Sequence, residues 1–263
     1  MKYMIGIDLD GTLLNDEKHI SIKTKTYLQT LSTKGHLIVL STGRSYLGAI
    51  NYHKELKLST PIIALNGALI VYPDGRKDII AFENSTLKTI FNDLKPYLKN
   101  FLLNGIDIVY SYNNNKDLEY LFNGANTNNK DINDYDFNDN ILNAIIMVTD
   151  ENRKTVEFYI KENTNLNLRY WGTFNNDAFY DLSIPVISKA HALERVLKHY
   201  NHPVDRLITF GDSVNDLEML SLTKYGVAMK NAHDEIKKQA SFVTDFDNNN
   251  DGIALFLEKQ FEL

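Results

Sequence analysis

Two short acidic stretches carry most of the chemical potential of this chain. The first, Asp8-Leu9-Asp10-Gly11-Thr12, directly follows the apolar segment Tyr3 to Ile7. Side chains alternate along an extended backbone, so Asp8 and Asp10 project to one side and two carboxylates share a site. They repel each other unless a hard cation is present, and Mg²⁺ is the expected one where phosphate oxygens are also held. Gly11 permits a tight departure from the strand, and the Thr12 hydroxyl can fix the loop by bonding nearby backbone. Standing alone, Asp-x-Asp-Gly has a structural alternative as a common turn or a surface calcium-type loop. The second stretch, Gly211-Asp212-Ser213-Val214-Asn215-Asp216, follows the apolar Leu207 to Phe210 and opens a helix. Asp and Ser favour helix N-caps, but capping does not require three polar metal-type ligands in five positions. Carboxylates at the carboxyl ends of adjacent strands can meet.

The elements that must position them alternate. Strand patterns at Tyr3 to Ile7, Leu37 to Leu40 and Ile62 to Leu65 are separated by helical spacing over Ile22 to Leu31 and Tyr46 to Leu56. That is the pattern of a parallel sheet covered by helices. After Asn66-Gly67, the segments Ala68 to Tyr72 and Asp78 to Phe82 flank Pro73-Asp74-Gly75 and predict a hairpin. Between Asn84 and Asn176 asparagine becomes frequent. Helices are expected there over Leu87 to Leu98 and Arg153 to Lys161, with strands near Ile106 to Tyr110 and Ile141 to Thr149. Asn113-Asn114-Asn115 and Asn128-Asn129 mark loops. Past Pro185 the alternation resumes. Helices are expected at Ala190 to His199, Asn215 to Leu222, His233 to Gln239 and Ile253 to Lys259, with strands at Leu207 to Phe210 and Gly226 to Ala228. The fold class is α/β: a Rossmann-like core with a parallel central sheet, residues 1–82 and 188–263, and an inserted α+β domain over 83–187.

Composition narrows the chemistry. The 263 residues suit one large domain carrying a smaller one, and no apolar run approaches the roughly 18 residues that would span a membrane. Zero cysteines exclude disulfides, thiolate catalysis and cysteine-ligated zinc, leaving oxygen and nitrogen ligands. A formal charge of -6 gives no general attraction to nucleic acid or anionic lipid. An acidic pair stands where a secretory signal needs its apolar stretch, so a cytoplasmic location is expected. His199 and His202 lie beside Pro203 and read as a surface turn, not a zinc site.

Together, Asp8-Leu9-Asp10-Gly11-Thr12 and Gly211-Asp212-Ser213-Val214-Asn215-Asp216 resemble the haloacid dehalogenase superfamily, in particular its Cof-type sugar-phosphatase branch. Ser41-Thr42-Gly43-Arg44 resembles the family's phosphate-binding threonine motif, and Lys189, just before a helix, its lysine. The chain departs from the pattern in having Ala190 after the lysine and no glycine within Ser183-Ile184-Pro185-Val186-Ile187-Ser188.

The resemblance implies a Mg²⁺-dependent hydrolase of small phosphorylated metabolites, with 83–187 acting as a cap that governs substrate choice. Asp8 would attack phosphorus and Asp10 would serve as acid and base. Asp8, the Asp10 main-chain carbonyl, Asp212 and Asp216 would hold the metal. Thr42, Gly43 and Lys189 would stabilise phosphoryl oxygens, Asn215 would orient the network, and Arg44, Asn66 and Asn231 would contact substrate. Two rivals share these residues: a phosphotransferase or phosphohexomutase passing the phosphoryl group to a sugar hydroxyl, and a non-catalytic phosphometabolite sensor. Retention of both Asp8 and Asp10 speaks against the sensor.

Overall fold

The computed structural model describes residues 2–113, 128–135 and 138–261; Asn114 and Asn115, read as loop, lie outside them. In chain order the elements are β1 (Met4–Ile7), α1 (Ile22–Thr33), β2 (Leu37–Ser41), α2 (Tyr46–Glu55), β3 (Ile62–Ala64), β4 (Leu69–Val71) and β5 (Lys77–Ile79). There follow α3 (Asn84–Leu94), β6 (Leu98–Asn104), β7 (Ile108–Tyr112), β8 (Asn128–Asp131), β9 (Asn143–Thr149), α4 (Arg153–Asn163), β10 (Asn167–Phe174) and β11 (Asp177–Ser183). The chain closes with α5 (Lys189–His199), β12 (Leu207–Gly211), α6 (Leu217–Ser221), β13 (Tyr225–Ala228), α7 (Asp234–Gln239), β14 (Phe242–Val243) and α8 (Gly252–Phe261). Two compact units result, one of Met1–Asp78 with Ser188–Leu263, the other of Ile79–Ile187.

The first unit is an eight-stranded sheet in the order β14-β13-β12-β1-β2-β3-β4-β5. Its strands run parallel from β14 to β3, and β4 returns antiparallel to β3. A strand paired on both edges and covered on both faces must be apolar throughout, and β1, Met-Ile-Gly-Ile, is fully buried. Ile5 and Ile7 join one core with Leu28, Leu31, Phe210 and Leu257, while Met4 faces the other with Val39, Leu193 and Val196. The registers Ile7↔Phe210 and Ile7↔Leu40 end three neighbouring strands at one edge of the sheet. Ser45 caps α2 by accepting from the Gly48 amide, and Ser188 caps α5 through the His191 amide.

The second unit is a six-stranded sheet, β10-β11-β9-β6-β7-β8, antiparallel except where β7 meets β8. One face packs against α3 and α4 through Leu87, Ile90, Phe101, Ile146, Val156 and Tyr180.

Several expectations need correction. The helix expected to Leu98 stops at Leu94, because Pro96 lacks an amide donor, and Leu98 opens strand β6 instead. Asn128 and Asn129, read as loop, begin β8. The second hairpin strand ends at Ile79, and Phe82 packs in the core of the second unit. The expected helix from Asn215 opens as a 3₁₀ turn, Val214–Asp216, before α6. Strands β6, β10, β11 and β14 were not anticipated.

Candidate active site

Asp8 is the first residue past β1. Its amide donates to the Phe210 carbonyl at 3.1 Å and its carbonyl accepts from the Leu13 amide at 3.2 Å, which pins it beside the end of β12. Gly11 follows with φ +74°, and a Cβ there would stand 2.5 Å from Asp212 Oδ2, so both conformation and space demand glycine. The Thr12 hydroxyl donates to Asp212 Oδ1 at 2.8 Å, a side-chain bond between the two acidic stretches where backbone bonding was expected.

Asp216 is fully buried. Its Oδ2 accepts from the amides of Asp212 and Ser213, both at 3.0 Å, and its Oδ1 accepts from Lys189 Nζ at 2.6 Å. The same ammonium reaches Asp8 Oδ1 at 2.6 Å. Lys189 is the first residue of α5 and is 1% exposed. Ala190 is accommodated there, and the Ser188 cap forms without the family's glycines.

Carboxylate oxygens of Asp8, Asp212 and Asp216 lie within 4.8 Å of one another. Burial raises the Asp8 pKa, and the neighbouring Asp216 and Asp212 charges add to it against the opposing pull of Lys189. Burial pushes Asp212 up to about 6, with the Thr12 bond opposing. Burial would lower Lys189, yet Asp216 and Asp8 hold it above the ordinary lysine range. Three carboxylates against one ammonium leave an uncompensated negative charge, and the all-oxygen donor set fits a hard divalent cation.

Asp10 turns elsewhere. Arg44 grips it with two bonds of 2.7 Å, Nε to Oδ2 and Nη2 to Oδ1, and Lys18 Nζ adds a third to Oδ1 at 2.8 Å. Burial alone would raise its pKa, but these bonds outweigh it and hold Asp10 down to about 2.

The loop after β2 leaves the same sheet edge. The Thr42 amide donates to the Ile63 carbonyl at 2.9 Å, and Thr42 Oγ1 accepts from the Arg44 amide at 3.1 Å, so the hydroxyl proton can go to another acceptor. Asn66, at φ +55°, donates its amide to the Thr42 carbonyl at 2.9 Å, and its side chain accepts from Asn215 Nδ2 at 2.9 Å. A Cβ on Gly43 would lie 3.1 Å from Asn66 Oδ1. Asn231 Nδ2 donates to the Gly11 carbonyl at 2.7 Å and so braces the loop.

Three contributors escaped sequence reasoning. Lys18 is one. Tyr52, whose hydroxyl meets Arg44 Nη1 at 3.4 Å, is another. Asn248 is the third: it donates to the Leu14 carbonyl at 2.9 Å and from its amide to Asn231 Oδ1 at 3.1 Å. Its setting, Asp247-Asn248-Asn249-Asn250-Asp251, has the composition of any solvated loop, so nothing marks it.

Comparison with known proteins gives this geometry its context. Residues 5–257 match the family model described as haloacid dehalogenase-like hydrolase. The chain belongs to that family. Among its relatives, the 5-amino-6-(5-phospho-D-ribitylamino)uracil phosphatase YitU of Bacillus subtilis is 33% identical over 99% of this chain and 98% of its own length. A second protein of that name from the same organism, YcsE, is 29% identical over 95% of this chain and 92% of its own. A crystal structure of a haloacid dehalogenase-like hydrolase from Bacteroides thetaiotaomicron superposes with a TM-score of 0.85 at 25% identity, covering 99% of this chain and 100% of that one.

Proposed function

We propose that this hydrolase is a Mg²⁺-dependent phosphatase that acts on small phosphorylated metabolites through an aspartyl-phosphate on Asp8. The observation that carries the reading is the buried convergence of Asp8, Asp212 and Asp216 around Lys189. When bound by Asp8, Asp212, Asp216 and the Asp10 carbonyl, Mg²⁺ would neutralise carboxylate and phosphoryl oxygens together.

The chain's own groups supply the rest. Asp8 attacks phosphorus in line as the leaving oxygen departs, which divides one difficult displacement into two. Lys189 holds Asp8 Oδ1, fixing the carboxylate and placing positive charge beside the phosphoryl group. Thr42 and the Gly43 amide donate to phosphoryl oxygens, while Asn215 sets the orientation of Asn66. Arg44, Asn66 and Asn231 border the substrate side. Asp10 gives a proton to the leaving oxygen and later takes one from the attacking water.

Segment 83–187 serves as the cap that selects the leaving group, and the location is cytoplasmic. Among the described residues no helix is long and apolar enough to cross a membrane. The names of the Bacillus subtilis relatives make 5-amino-6-(5-phospho-D-ribitylamino)uracil the first substrate to test. Phosphate release should be measured over a panel of phosphorylated metabolites containing it, with Mg²⁺ and with a chelator. Chelation and Asp8→Asn should each abolish release. Activity that survives Asp8→Asn would reject the nucleophile, and phosphoryl transfer without free phosphate would reject hydrolysis.

A further inference from the structure

The asparagine-rich loop before α8, Asp247-Asn248-Asn249-Asn250-Asp251, commits its side chains to one distant segment of the chain. Asn248 Nδ2 donates to the Leu14 carbonyl at 2.9 Å and to Asp16 Oδ1 at 3.3 Å. Asn249 holds Asp16 twice: its Oδ1 accepts the Asp16 amide at 3.0 Å and its Nδ2 donates to Asp16 Oδ2 at 3.1 Å. Asp251 Oδ1 accepts from the hydroxyl of Ser21 and, at 3.1 Å, from that of Thr24. Asp247 Oδ1 accepts from the Asn249 amide at 3.0 Å and from Asn250 Nδ2 at 2.7 Å, which shapes the loop itself.

Read as sequence, Asp247-x-Asn249-x-Asp251-Gly252 followed by Glu258 matches a calcium-binding loop. The structure uses those groups otherwise. Helix α8 already begins at Gly252, Glu258 on it pairs with Lys23 Nζ at 3.0 Å, and protons converge on the Asp247 and Asp251 oxygens that a cation would need. What the loop grips instead is the far end of the turn that carries Asp8 and Asp10. That turn closes on itself, the Leu13 amide donating to the Asp8 carbonyl at 3.2 Å and the Leu14 amide to the Leu9 carbonyl at 2.9 Å. Asn248 holds it at Leu14, and Asn231 holds it at Gly11, whose carbonyl accepts from Asn231 Nδ2 at 2.7 Å. Asn231 Oδ1 is in turn fixed by the Asn248 amide at 3.1 Å. Between the two holds, the Thr12 hydroxyl reaches Asp212 Oδ1 at 2.8 Å. Asn248 is only 8% exposed, so water competes little for its bonds.

We propose that Asn248 and Asn231 are positioning residues that clasp the turn over residues 8–14, so that Thr12 stays on Asp212 and the main chain of Asp10 is fixed. The kinetic part of the proposal rests on the reading of Asp8 as nucleophile. Asn231 is thereby assigned to the turn, not to the substrate contact expected from sequence, since its Oδ1 and an Nδ2 proton are both engaged within the protein. The direction of donation is what the clasp needs. Aspartate has the shape of asparagine but puts an oxygen where Nδ2 stood. At Asn248 that oxygen would face the Leu14 carbonyl and the Asp16 carboxylate, and at Asn231 the Gly11 carbonyl, so each attraction becomes a repulsion.

The test compares Asn248→Asp, Asn248→Ala and Asn231→Asp with the native protein, by hydrogen exchange without metal and by turnover of p-nitrophenyl phosphate in saturating Mg²⁺. Exchange in peptides covering residues 8–14 should quicken about ten-fold or more in Asn248→Asp and less in Asn248→Ala, while peptides covering β2 and α5 keep their rates. The fall in kcat should follow the same order, about 30-fold against about five-fold, with KM within about two-fold, because a displaced turn costs orientation more than binding. Asn231→Asp should behave alike with a smaller loss, its side chain being more exposed. A space-filling role would reverse the order, the isosteric aspartate being milder than alanine, and faster exchange in every peptide would mean a general loss of stability; either result overturns the proposal. A higher KM in Asn231→Asp with native exchange would return Asn231 to the substrate and break the clasp as proposed. Slower exchange on adding Ca²⁺, confined to residues 247–258, would make the loop a cation site and overturn it as well. Turnover that survives Asp8→Asn would strike the nucleophile reading and the kinetic expectation with it, whereas the exchange pattern decides the clasp by itself.

Discussion

At Gly211 the lack of a Cβ decides whether Asp216 can reach its partners. A methyl group there would stand 2.4 Å from Asp216 Cβ and 2.5 Å from its Cγ, so the carboxylate would have to move off Lys189 and the two amides. Gly211→Ala should therefore cost about 1–3 kcal/mol of stability, read by urea unfolding, as overpacking of a tight site does. It should also lower kcat by about 100-fold, because Lys189 loses one of the carboxylates that aim it. Gly75→Ala is the contrast: its φ of +85° strains an alanine, which Gly211 does not share, but nothing lies within 4 Å, and activity should not change. Sequence makes the meeting of Asp8 with Asp212 and Asp216 legible because each stretch directly follows an apolar strand pattern, and strand ends are where side chains gather in such sheets. Lys18 and Tyr52 are illegible for the opposite reason. Their roles depend on where a turn and a helix face bring them, and a lysine or tyrosine in such places is ordinary surface composition.

Among the elements, two histidines secure the ends of β2 and α2. His36, at the entry to β2, accepts the Tyr3 amide on Nδ1 at 3.2 Å, and His53, in the last turn of α2, faces the Thr60 carbonyl from Nε2 at 2.8 Å. Burial lowers the pKa of both; the Lys2 and Lys34 charges lower His36 further, while the Thr60 bond partly offsets the effect on His53. Both are thus neutral in the fold over a range where the unfolded chain binds protons. Unfolding free energy then rises with pH in that range, so their contribution is complete above about 6.5 and fades as pH falls towards their folded values. Between about pH 7.5 and 5.5 the melting temperature of the native protein should fall more than that of a His36→Asn, His53→Gln double variant, which keeps one acceptor and one donor without titrating. Parallel curves would show that neither ring is held neutral.

Element legibility divides in the same physical way. Strands β1, β2 and β12 are buried on both faces and read as apolar runs. Strand β10 is not readable: its residues are largely exposed, polar and aromatic types mix, and a bulge between Tyr170 and Gly172 breaks the alternation. Strand β6 carries a bulge between Leu98 and Asn100 and follows a helix without a clear break until Pro96, so its apolar residues extend the helical pattern.

For the molecule as a whole, the division into two units separates the acidic cluster from the apolar core of the second unit. Asp8, Asp212 and Asp216 all belong to the unit of Met1–Asp78 and Ser188–Leu263, and the unit of Ile79–Ile187 has its own apolar cluster around Phe101, Ile146 and Tyr180. A cation that binds only the folded site stabilises what must unfold to release it, by about 2.7 kcal/mol at a hundred-fold excess over its dissociation constant. Hydrogen exchange should therefore slow on adding Mg²⁺ in peptides covering β1 and β12 and stay unchanged in peptides covering β6 and β9, since regions with separate cores open separately. Asp212→Asn should erase the difference by removing a ligand while leaving both cores intact. If Mg²⁺ slowed exchange equally in β6 and β9, the two units would open as one cooperative body, and changes in the inserted segment could no longer be assigned to substrate choice without also weighing their effect on the metal site.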